Sequence, residues 1–467
     1  MVIKMKWKAL LGALCIILIG STAHAEVGTY IVQFNNKVQL FETDSNERHE
    51  SRNYTTATYE ELQEYIDAGI VEYWEPDYEV ELLETFQADN SVNTQWNLDA
   101  IKITKPWNIG CYGNDVVVGV IDSGCYAHPD LANNLLAGRN YTSSDIENTG
   151  DNIGHGTYVS GIIAAESNGE YTDGVSHKAK IVPLKCFDKG ASTTVSMISD
   201  AIYDAVDLYD CDVINLSFGI PKSIITKTLE LAIQYAIKNN CIVVAAVGND
   251  GASTEYYPAK YDDVIGVGSI DEGGEISSFS QHNSTVDCVA PGRGINSVSI
   301  DGYSGNSGTS FAAPHVAAMA AIAKCIDENI TAQEFTEILI NTSHHPDDKE
   351  DLEKQYDVYY GYGIVDCEKM FDELLKGIDT FLSPISVVDG SLNAVIYNNS
   401  CEDVIPFGIV ANYKDKKLEF SSIVDLNVPA GEYRNIQCEL PEEKTKIMIW
   451  SGLATLTPLA PYREFIK

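Results

Sequence analysis

The chain has 467 residues, enough for one large domain with smaller companions. Its formal net charge of −37 argues against nucleic acid and anionic membranes as partners, because phosphate binding requires clustered Lys and Arg. Residues 1–25 place Lys4, Lys6 and Lys8 before an apolar run and end in AHA, as a secretory signal peptide does. We therefore expect a secreted or cell-surface protein. No later stretch approaches the roughly 20 apolar residues of a membrane span.

Residues 26–90 form an acidic unit. The pattern predicts a strand over TYIVQF, a helix over YEELQEYIDAG and a second strand around EVELL, which together make a small α+β domain. The polar stretch QADNSVNTQ that follows is typical of an exposed, cleavable connection.

Residues 91–375 alternate short apolar strands with amphipathic helices. This alternation predicts an α/β domain with a mainly parallel sheet covered on both faces. The predicted strands are VVVGVI, AKIVPLKC, CDVINLS, CIVVAAV and DVIGVGS. Functional groups on such sheets gather at the carboxyl ends of the strands.

Residues 380–467 lose the helical pattern. Alternating segments such as SLNAVIYNN, DVIPFGIVANY and KIMIW predict a small β-sandwich. Cys186, Cys211 and Cys241 lie in or beside apolar strands and are expected to be buried thiols, while Cys401 and Cys438 could form a disulfide.

Ser310 lies in GNSGTSFAAPHVAAM, between a glycine-rich turn and an alanine-rich helix. Pro314 is tolerated in the first turn of a helix, so the helix is predicted to begin near Ser310 and to direct free N–H groups towards it. A capping serine has the same pattern. His315 follows too closely to face Ser310 from another element and is interpreted as a packing residue.

Asp122 ends the first apolar strand of this region, and His155 lies between two glycines at the start of a small-residue helix. A nucleophilic serine needs a base and a carboxylate that orients the base. Asn249, just past another apolar strand, could donate a hydrogen bond to an oxyanion together with the Ser310 N–H. Each residue alone could be a turn or capping residue, but four such groups at one sheet edge favour nucleophilic catalysis.

The segments that carry these residues resemble the signature segments of the subtilisin-like serine peptidases, the subtilase family: VIDSG, GHGTYVSG, VINLSFG, AVGND and GTSFAAPHVA. The resemblance covers about residues 96–370. It implies a three-layer subtilisin-like fold, with Asp122 as the orienting acid, His155 as the general base and Ser310 as the nucleophile. Asn249 is then the side-chain donor to the oxyanion.

The resemblance also implies a substrate-binding edge and a specificity pocket. Ser217, Phe218 and Gly219 would border an extended substrate, and Gly248 would border the pocket for the residue before the scissile bond. Tyr256 aligns near the floor of that pocket, where its ring would shorten it. The neighbouring Asp250 could instead favour a basic residue, so the preference stays open at this point.

The segments HPDL and ESNGEYTDG resemble those that hold a structural calcium in many subtilases. Asp130 and Asn168 would supply side-chain oxygens, with loop carbonyls completing the shell. The chemistry itself requires no cofactor.

Residues 26–90 resemble the inhibitory propeptide of the family, which would act as an intramolecular inhibitor until it is cut off between Leu83 and Gln95. The sequence therefore predicts a secreted serine endopeptidase that acts on protein or peptide substrates. Two alternatives remain: a peptidase dedicated to maturing one peptide precursor, and a binding or adhesion protein on an inactive peptidase scaffold.

Overall fold

The computed structural model describes these residues: 29–35, 53–83, 85–89, 95–189, 193–221, 223–224, 226–346, 356–384, 386–388, 391–400, 407–414, 417–425, 428–439, 444–450 and 463–466. For residues 85–89, 386–388, 391–392, 407–414, 417–425, 438–439, 444–450 and 463–466, the backbone alone is described. The predicted signal peptide and the predicted Cys401–Cys438 pair lie outside the described residues or side chains.

The N-terminal unit is a three-stranded antiparallel sheet with one helix. Its elements are β1 (Tyr30–Phe34), β2 (Tyr54–Ala57), α1 (Tyr59–Asp67) and β3 (Val71–Pro76), with strand order β2-β1-β3. Thr58 and Glu61 form a capping box at the start of α1, and Leu62 packs the helix onto the sheet.

The next two strands, β4 (Glu79–Leu82) and β5 (Thr85–Asp89), do not join this sheet. The predicted strand around EVELL is present as β4. It pairs antiparallel with β11 and β9 of the central unit and not with the strands of the N-terminal sheet.

The central unit contains a seven-stranded sheet in the order β15-β14-β12-β10-β6-β8-β7, in which every neighbouring pair is parallel. Its strands are β6 (Val117–Asp122), β7 (Arg139–Asn140), β8 (Lys180–Lys185), β10 (Val213–Leu216), β12 (Ile242–Ala246), β14 (Ile265–Ile270) and β15 (Cys288–Pro291). Shorter strands are β9 (Thr193–Thr194), β11 (Phe218–Pro221), β13 (Tyr256–Tyr257), β16 (Ile295–Ser299) and β17 (Gly302–Ser307).

The helices of the central unit lie on both faces of the sheet. They are α2 (Trp96–Ala100), α3 (Thr104–Asn108), α4 (His155–Ala164), α5 (Val195–Asp207), α6 (Lys227–Lys238), α7 (Thr309–Ile326), α8 (Ala332–Thr342) and α9 (Cys367–Leu374). Successive strand residues alternate between two apolar cores, so that Val213 packs with α4 and α7 whereas Ile214 packs with α5 and α6. The predicted three-layer α/β fold is therefore confirmed.

Helix α7 is buried in the core and packs across the face of the sheet against β10, β12, β14 and β15. By length and composition it is the one described helix that could cross a membrane, with a mean hydropathy of 1.3, but 89% of its residues are buried inside the protein. Cys186, Cys211 and Cys241 are buried as predicted, and burial raises the pKa of each thiol.

The C-terminal region supplies two antiparallel sheets. One contains β18 (Thr380–Leu382), β19 (Ser386–Val388), β20 (Ser391–Asn398) and β23 (Tyr433–Glu439); the other contains β21 (Phe407–Lys414), β22 (Lys417–Asp425), β24 (Lys444–Trp450) and β25 (Arg463–Ile466). Phe381 and Tyr397 of the first sheet contact Phe371 of α9 and join the core of the central unit. The first sheet is thus packed onto the central unit.

Candidate active site

Asp122 and His155 meet at the carboxyl-terminal edge of the parallel sheet. Asp122 is the last residue of β6, and His155 is the first residue of α4. Nδ1 of His155 lies 2.8 Å from Oδ1 and 2.9 Å from Oδ2 of Asp122, and both side chains are fully buried. A carboxylate at Nδ1 keeps the proton on that nitrogen, so that the ring can act as a base through Nε2.

The start of α4 is held by Asp151. Its Oδ1 accepts hydrogen bonds from the N–H groups of Ile153 (3.0 Å) and Gly154 (2.8 Å). Its Oδ2 accepts from the N–H (2.9 Å) and the hydroxyl (2.6 Å) of Thr157. A carboxylate at this place satisfies N–H groups that the helix leaves without intrahelical partners, and it fixes the turn that carries His155.

Gly156 lets the helix approach the strand that carries Asp122. A Cβ at Gly156 would lie 2.2 Å from the carbonyl oxygen of Gly124 and 3.1 Å from Oδ1 of Asp122, so a larger residue does not fit. The N–H of Gly156 donates to the Ser123 hydroxyl at 2.9 Å. Gly156 therefore allows α4 to pack closely against the strand end that carries Asp122.

Ser310 is the second residue of α7, as the predicted helix start requires. Pro314, however, lies in the second turn and not in the first, where we expected it. Pro314 has no N–H to offer to the carbonyl of Ser310, and the Ser217 hydroxyl donates to that carbonyl at 3.0 Å instead. The carbonyl that Pro314 leaves without a helical donor is thereby bonded to Ser217, the residue that follows β10.

Asn249 and Ser310 both contact one carbonyl oxygen of the N-terminal segment. The amide oxygen of Asn249 accepts hydrogen bonds from the N–H (2.8 Å) and the hydroxyl (2.9 Å) of Thr309, which turns its Nδ2 towards the cleft. Nδ2 donates to the Leu83 carbonyl at 2.8 Å, and the Ser310 hydroxyl donates to the same oxygen at 2.8 Å. The carbonyl oxygen of Leu83 is thus shared by the Ser310 hydroxyl and Nδ2 of Asn249.

The segment around Leu83 lies in the cleft as an added strand. Strand β4 pairs antiparallel with β11 on one side, where Leu82 is opposite Phe218, and with β9 on the other. Strand β5 pairs with β17 beyond residue 84, so the chain is extended on both sides of Leu83. Phe218 contributes its backbone, because its ring is fully buried against Phe187.

Three of the predicted pocket residues, Gly219, Gly248 and Tyr256, lie together, and Gly219 lies beside the Leu83 side chain. A Cβ on Gly219 would lie 2.9 Å from Cδ1 of Tyr256 and 3.0 Å from Cδ1 of Leu83, and a Cβ on Gly248 would lie 3.0 Å from Cδ2 of Tyr256. The ring of Tyr256 thus packs against both glycines, and its hydroxyl donates to Asp250 at 2.6 Å. Partial burial and this carboxylate raise the pKa of Tyr256 to about 12.

The rings of Phe311 and Tyr158 pack between helix α4, which carries His155, and helix α7, which carries Ser310. The ring of Phe311, the residue after the serine, lies 5.4 Å from the His155 ring and 4.7 Å from the Tyr158 ring. The Tyr158 hydroxyl donates to the carbonyl of Ser304 at 2.7 Å and also contacts the carbonyl of Ile295. Helix α4 is therefore bonded to the β16–β17 hairpin that leads into α7.

His315 is a packing residue, as predicted. It is fully buried, with Nδ1 at 2.8 Å from the Phe311 carbonyl and Nε2 at 2.9 Å from the amide nitrogen of Asn97. Burial lowers the pKa of His315 to about 4, so the ring is neutral at physiological pH.

Asp130 and Asn168, the predicted calcium ligands, lie in contact. Nδ2 of Asn168 donates to Oδ1 of Asp130 at 2.5 Å, while Oδ2 of Asp130 is buried without a hydrogen-bond partner among the described residues. Burial raises the pKa of this carboxyl. The buried carboxylate oxygen fits a cation, whereas the amide oxygen of Asn168 accepts from the N–H of Glu170 and would have to turn towards the ion.

Several supporting residues were missed from the sequence. Asp151 precedes a predicted helix, which is a recognisable capping signal. Lys185 is buried at the end of β8, and its Nζ donates to the carbonyls of Ser123 (3.2 Å) and Gly150 (2.8 Å) beside the Asp122 strand end. Neither Lys185 nor Tyr158 carries a local signal, because the partners of both are distant in sequence.

Comparison with known proteins matches residues 113–363 to the Subtilase family, peptidase family S8. The chain is 37% identical over 256 residues to the thermophilic serine proteinase of Bacillus sp. strain AK1, covering 54% of this chain and 63% of that protein. It is 35% identical over 251 residues to the major intracellular serine protease of Bacillus subtilis strain 168, covering 51% and 78%.

A solved structure described as proteases from Pseudoalteromonas arctica PAMC 21717 superposes with a TM-score of 0.55 at 28% identity, covering 61% of this chain and 98% of that one. The superposed structure shares the fold of the central unit, which is also the part of the chain that the family match covers. The chain belongs to the subtilase family of serine peptidases.

Proposed function

We propose that this protein is a serine endopeptidase that cuts its own chain after Leu83 and then hydrolyses other extended polypeptides. One observation carries the proposal: the carbonyl oxygen of Leu83 accepts hydrogen bonds from the Ser310 hydroxyl and from Nδ2 of Asn249, each at 2.8 Å. A side-chain donor and a nucleophile that converge on one peptide carbonyl are the arrangement that acyl transfer requires.

In the proposed reaction, the Ser310 hydroxyl turns to Nε2 of His155, which removes its proton as Oγ attacks the carbonyl carbon. Asp122 stabilises the imidazolium through Nδ1. Nδ2 of Asn249 and the Ser310 N–H bind the oxyanion of the tetrahedral intermediate. His155 then protonates the leaving amine of residue 84, and water hydrolyses the acyl-enzyme to release the Leu83 carboxylate.

The pocket contacts support a preference for an aliphatic side chain of leucine size before the scissile bond. Tyr256 packs where a longer side chain would extend, because its ring lies against Gly219 and Gly248. Asp250 accepts a hydrogen bond from the Tyr256 hydroxyl, and this bond reduces its ability to select a basic residue. The cut after Leu83 would place the propeptide boundary at residue 83 and not at residue 90.

Export and calcium belong to the same proposal. The proposal of export rests on residues 1–25 alone. Family membership does not support it by itself, because one relative is named an intracellular protease. Calcium would be held by Asp130 and a turned Asn168 amide, and it would stabilise the loop over residues 166–174 without entering the chemistry. Loss of calcium-dependent thermal stabilisation in Asp130→Asn tests this part.

Incubation of the purified full-length chain tests the central claim. The wild-type protein should yield a fragment that begins at residue 84, identified by mass spectrometry, and should react with a serine-directed fluorophosphonate. Ser310→Ala should stay full length and unlabelled, while Ser284→Ala, a substitution at an exposed surface serine, should behave as wild type. Processing of Ser310→Ala at the wild-type rate would overturn the proposal.

Substrate scope needs a second measurement. Profiling the processed enzyme on a peptide library separates a general peptidase, which cuts many sequences after leucine, from a peptidase dedicated to one precursor. The strand pairing through main-chain atoms of β11 supports the general case, because such pairing selects little sequence.

A further inference from the structure

A cavity lies where the first C-terminal sheet packs onto the central unit. Its volume is about 470 Å³, within the range of about 300–1,000 Å³ that small-molecule sites occupy. The central unit contributes Glu368 of α9 and residues between positions 99 and 109. The sheet contributes Tyr397 of β20 and, around the start of β23, Gly431 and Tyr433. We call this cavity the junction pocket, and the described residues that line it include none of the candidate active site.

Two tyrosines share the sheet face that lines the junction pocket. Tyr397 of β20 lies directly opposite Tyr433 of β23 in an antiparallel pair, so both side chains are on one face of the sheet. Tyr397 is 6% exposed, and its ring lies 6.4 Å from the ring of Phe371 in α9. Tyr433 is 46% exposed. The pocket therefore presents one aromatic ring to solvent beside a buried ring that anchors the sheet.

The turn that leads to Tyr433 is fixed by Asn398 at the end of β20. The Asn398 side chain is fully buried, and its Nδ2 donates to the Val428 carbonyl at 2.9 Å. Its main-chain carbonyl accepts from the Gly431 N–H at 2.9 Å, and its N–H donates to the Glu432 carbonyl at 2.9 Å. The wall of the pocket is thus formed before a ligand arrives, so that binding costs little ordering of the protein.

The charges around the junction pocket disfavour an anionic ligand. The Lys102 ammonium group is paired with the fully buried Asp366 carboxylate at 2.6 Å. The Lys105 ammonium group is paired with Asp372 and lies 6.0 Å from the centre of the Tyr397 ring. Both lysines of the described lining therefore already have carboxylate partners, and an anion would have to compete with those carboxylates.

The polar groups at the rim of the pocket include both donors and acceptors. Asp99 and Glu368 are exposed carboxylates that accept, whereas the Asn108 amide and the Thr104 hydroxyl donate and accept. A ligand with many hydroxyl groups matches such a rim, because each hydroxyl donates one hydrogen bond and accepts others. The C–H groups on one face of a sugar ring would pack on Tyr433. A cationic ligand would use the carboxylates alone and would leave the donors without acceptors.

We propose that the junction pocket binds a neutral oligosaccharide, with one sugar ring on Tyr433 and hydroxyl groups bonded to the carboxylates of Asp99 and Glu368. Such a site would hold the peptidase on glycan-bearing material while the separate active site cuts polypeptides. The proposal does not depend on the cut after Leu83, because both walls of the pocket are present in the uncut chain.

Saccharide binding to the uncut Ser310→Ala chain tests the proposal without catalysis. The probes are the neutral tetrasaccharides cellotetraose, maltotetraose, mannotetraose and chitotetraose, each titrated by calorimetry. At least one of them should bind with a Kd below about 1 mM. No binding of any of the four at about 10 mM would overturn the proposal. Binding of tetralysine that is lost in Tyr433→Ala, with no saccharide behaving in this way, would assign the pocket to cations and would also overturn it.

Substitutions in the pocket test where the saccharide binds. Tyr433→Ala should raise the Kd at least about ten-fold, since the ring under the sugar is lost, whereas Tyr433→Phe should stay within about three-fold of the parent chain. Glu368→Gln should raise the Kd about three- to ten-fold, because a charge-assisted hydrogen bond becomes a neutral one. Tyr171→Ala and Glu272→Gln, at exposed positions elsewhere, are the matched controls and should leave the Kd unchanged. Equal Kd values for Tyr433→Ala and Tyr171→Ala would overturn the proposal.

Amide hydrogen exchange gives a second, independent test. The tetrasaccharide that binds most tightly should slow exchange at residues 102–109 and 429–434 of the Ser310→Ala chain, which form the two walls, but not at residues 196–200 of α5. The free Tyr433→Ala variant should unfold at the same temperature as the parent chain, because the side chain is largely exposed, so that a lost contact is distinguished from a lost fold. Slower exchange elsewhere without any change at the two walls would overturn the proposal.

Discussion

The candidate site has two regions that are held in different ways. One is the Asp122–His155 pair, and the other, called here the serine side, is Ser310 with Asn249. Asp122 and His155 are buried and bonded to each other, and the turn that carries the histidine is fixed by Asp151. Ser310 and Asn249 direct their polar atoms at Leu83 of the N-terminal segment. The Asp122–His155 pair is therefore complete within the central unit, whereas Ser310 and Asn249 are occupied by the segment that the enzyme is proposed to cut.

The largest expected effect tests the acid–base pair. Asp122→Asn keeps the size of the side chain but removes the carboxylate that sets the proton position on Nδ1 of His155, so the rate of cleavage should fall by about 10⁴-fold. The measurement is hydrolysis of a short peptide. Asp145→Asn, at an exposed position, serves as the control and should have wild-type activity; a loss below ten-fold for Asp122→Asn would contradict a preassembled pair.

The next effect tests the serine side. Asn249→Ala removes the Nδ2 donor, and kcat should fall about 10²- to 10³-fold with little change in KM, because the bond strengthens as the oxyanion forms. Steady-state kinetics measure both constants. A raised KM at constant kcat would mean that Asn249 binds the ground state as tightly as the transition state.

A smaller effect sharpens the description of the pocket. Tyr256→Gly should open space beyond the leucine-sized pocket and raise the preference for phenylalanine over leucine about 10- to 100-fold in kcat/KM. Asp250→Asn is the companion variant. We expect cleavage after arginine to be slow in the wild-type enzyme and equally slow in this variant. Strong cleavage after arginine by the wild-type enzyme would show that Asp250 selects the substrate.

The smallest expected effect tests the hydrogen bond between Tyr158 of α4 and the β16–β17 hairpin that leads into α7. Tyr158→Phe removes the hydroxyl that donates to the partly buried Ser304 carbonyl, and the loss of this hydrogen bond should cost about 1–3 kcal/mol of stability. Thermal unfolding of the uncut Ser310→Ala chain should show a Tm about 2–8 °C lower. Tyr171→Phe, on a ring that is 74% exposed, should leave Tm unchanged, and equal Tm values for both variants would contradict the link.

Local patterns predicted much of this molecule because they report short-range physics. The strands of the parallel sheet are buried against two apolar cores, so they could be recognised as short continuous apolar runs. Helices α5 and α6 have one buried face each, so they could be recognised from their periodicity. The four site residues were identifiable because each lies at or just past the end of a strand or in the first turn of a helix. Pro314 was placed in the wrong turn, since the Ser217 hydroxyl that satisfies the freed carbonyl is distant in the chain.

The sequence by itself determined the layered fold, the family and which side chains could carry the chemistry, because strand alternation, helix starts and chain order are local properties. Tertiary structure alone decided that EVELL lies in the cleft, that the Leu83 carbonyl meets Ser310 and Asn249, and that Asp77 and Glu75 cap α5 and α6. These contacts join residues more than 100 positions apart. No local preference encodes them, since they form only when two folded units bring their open strand edges and helix ends together.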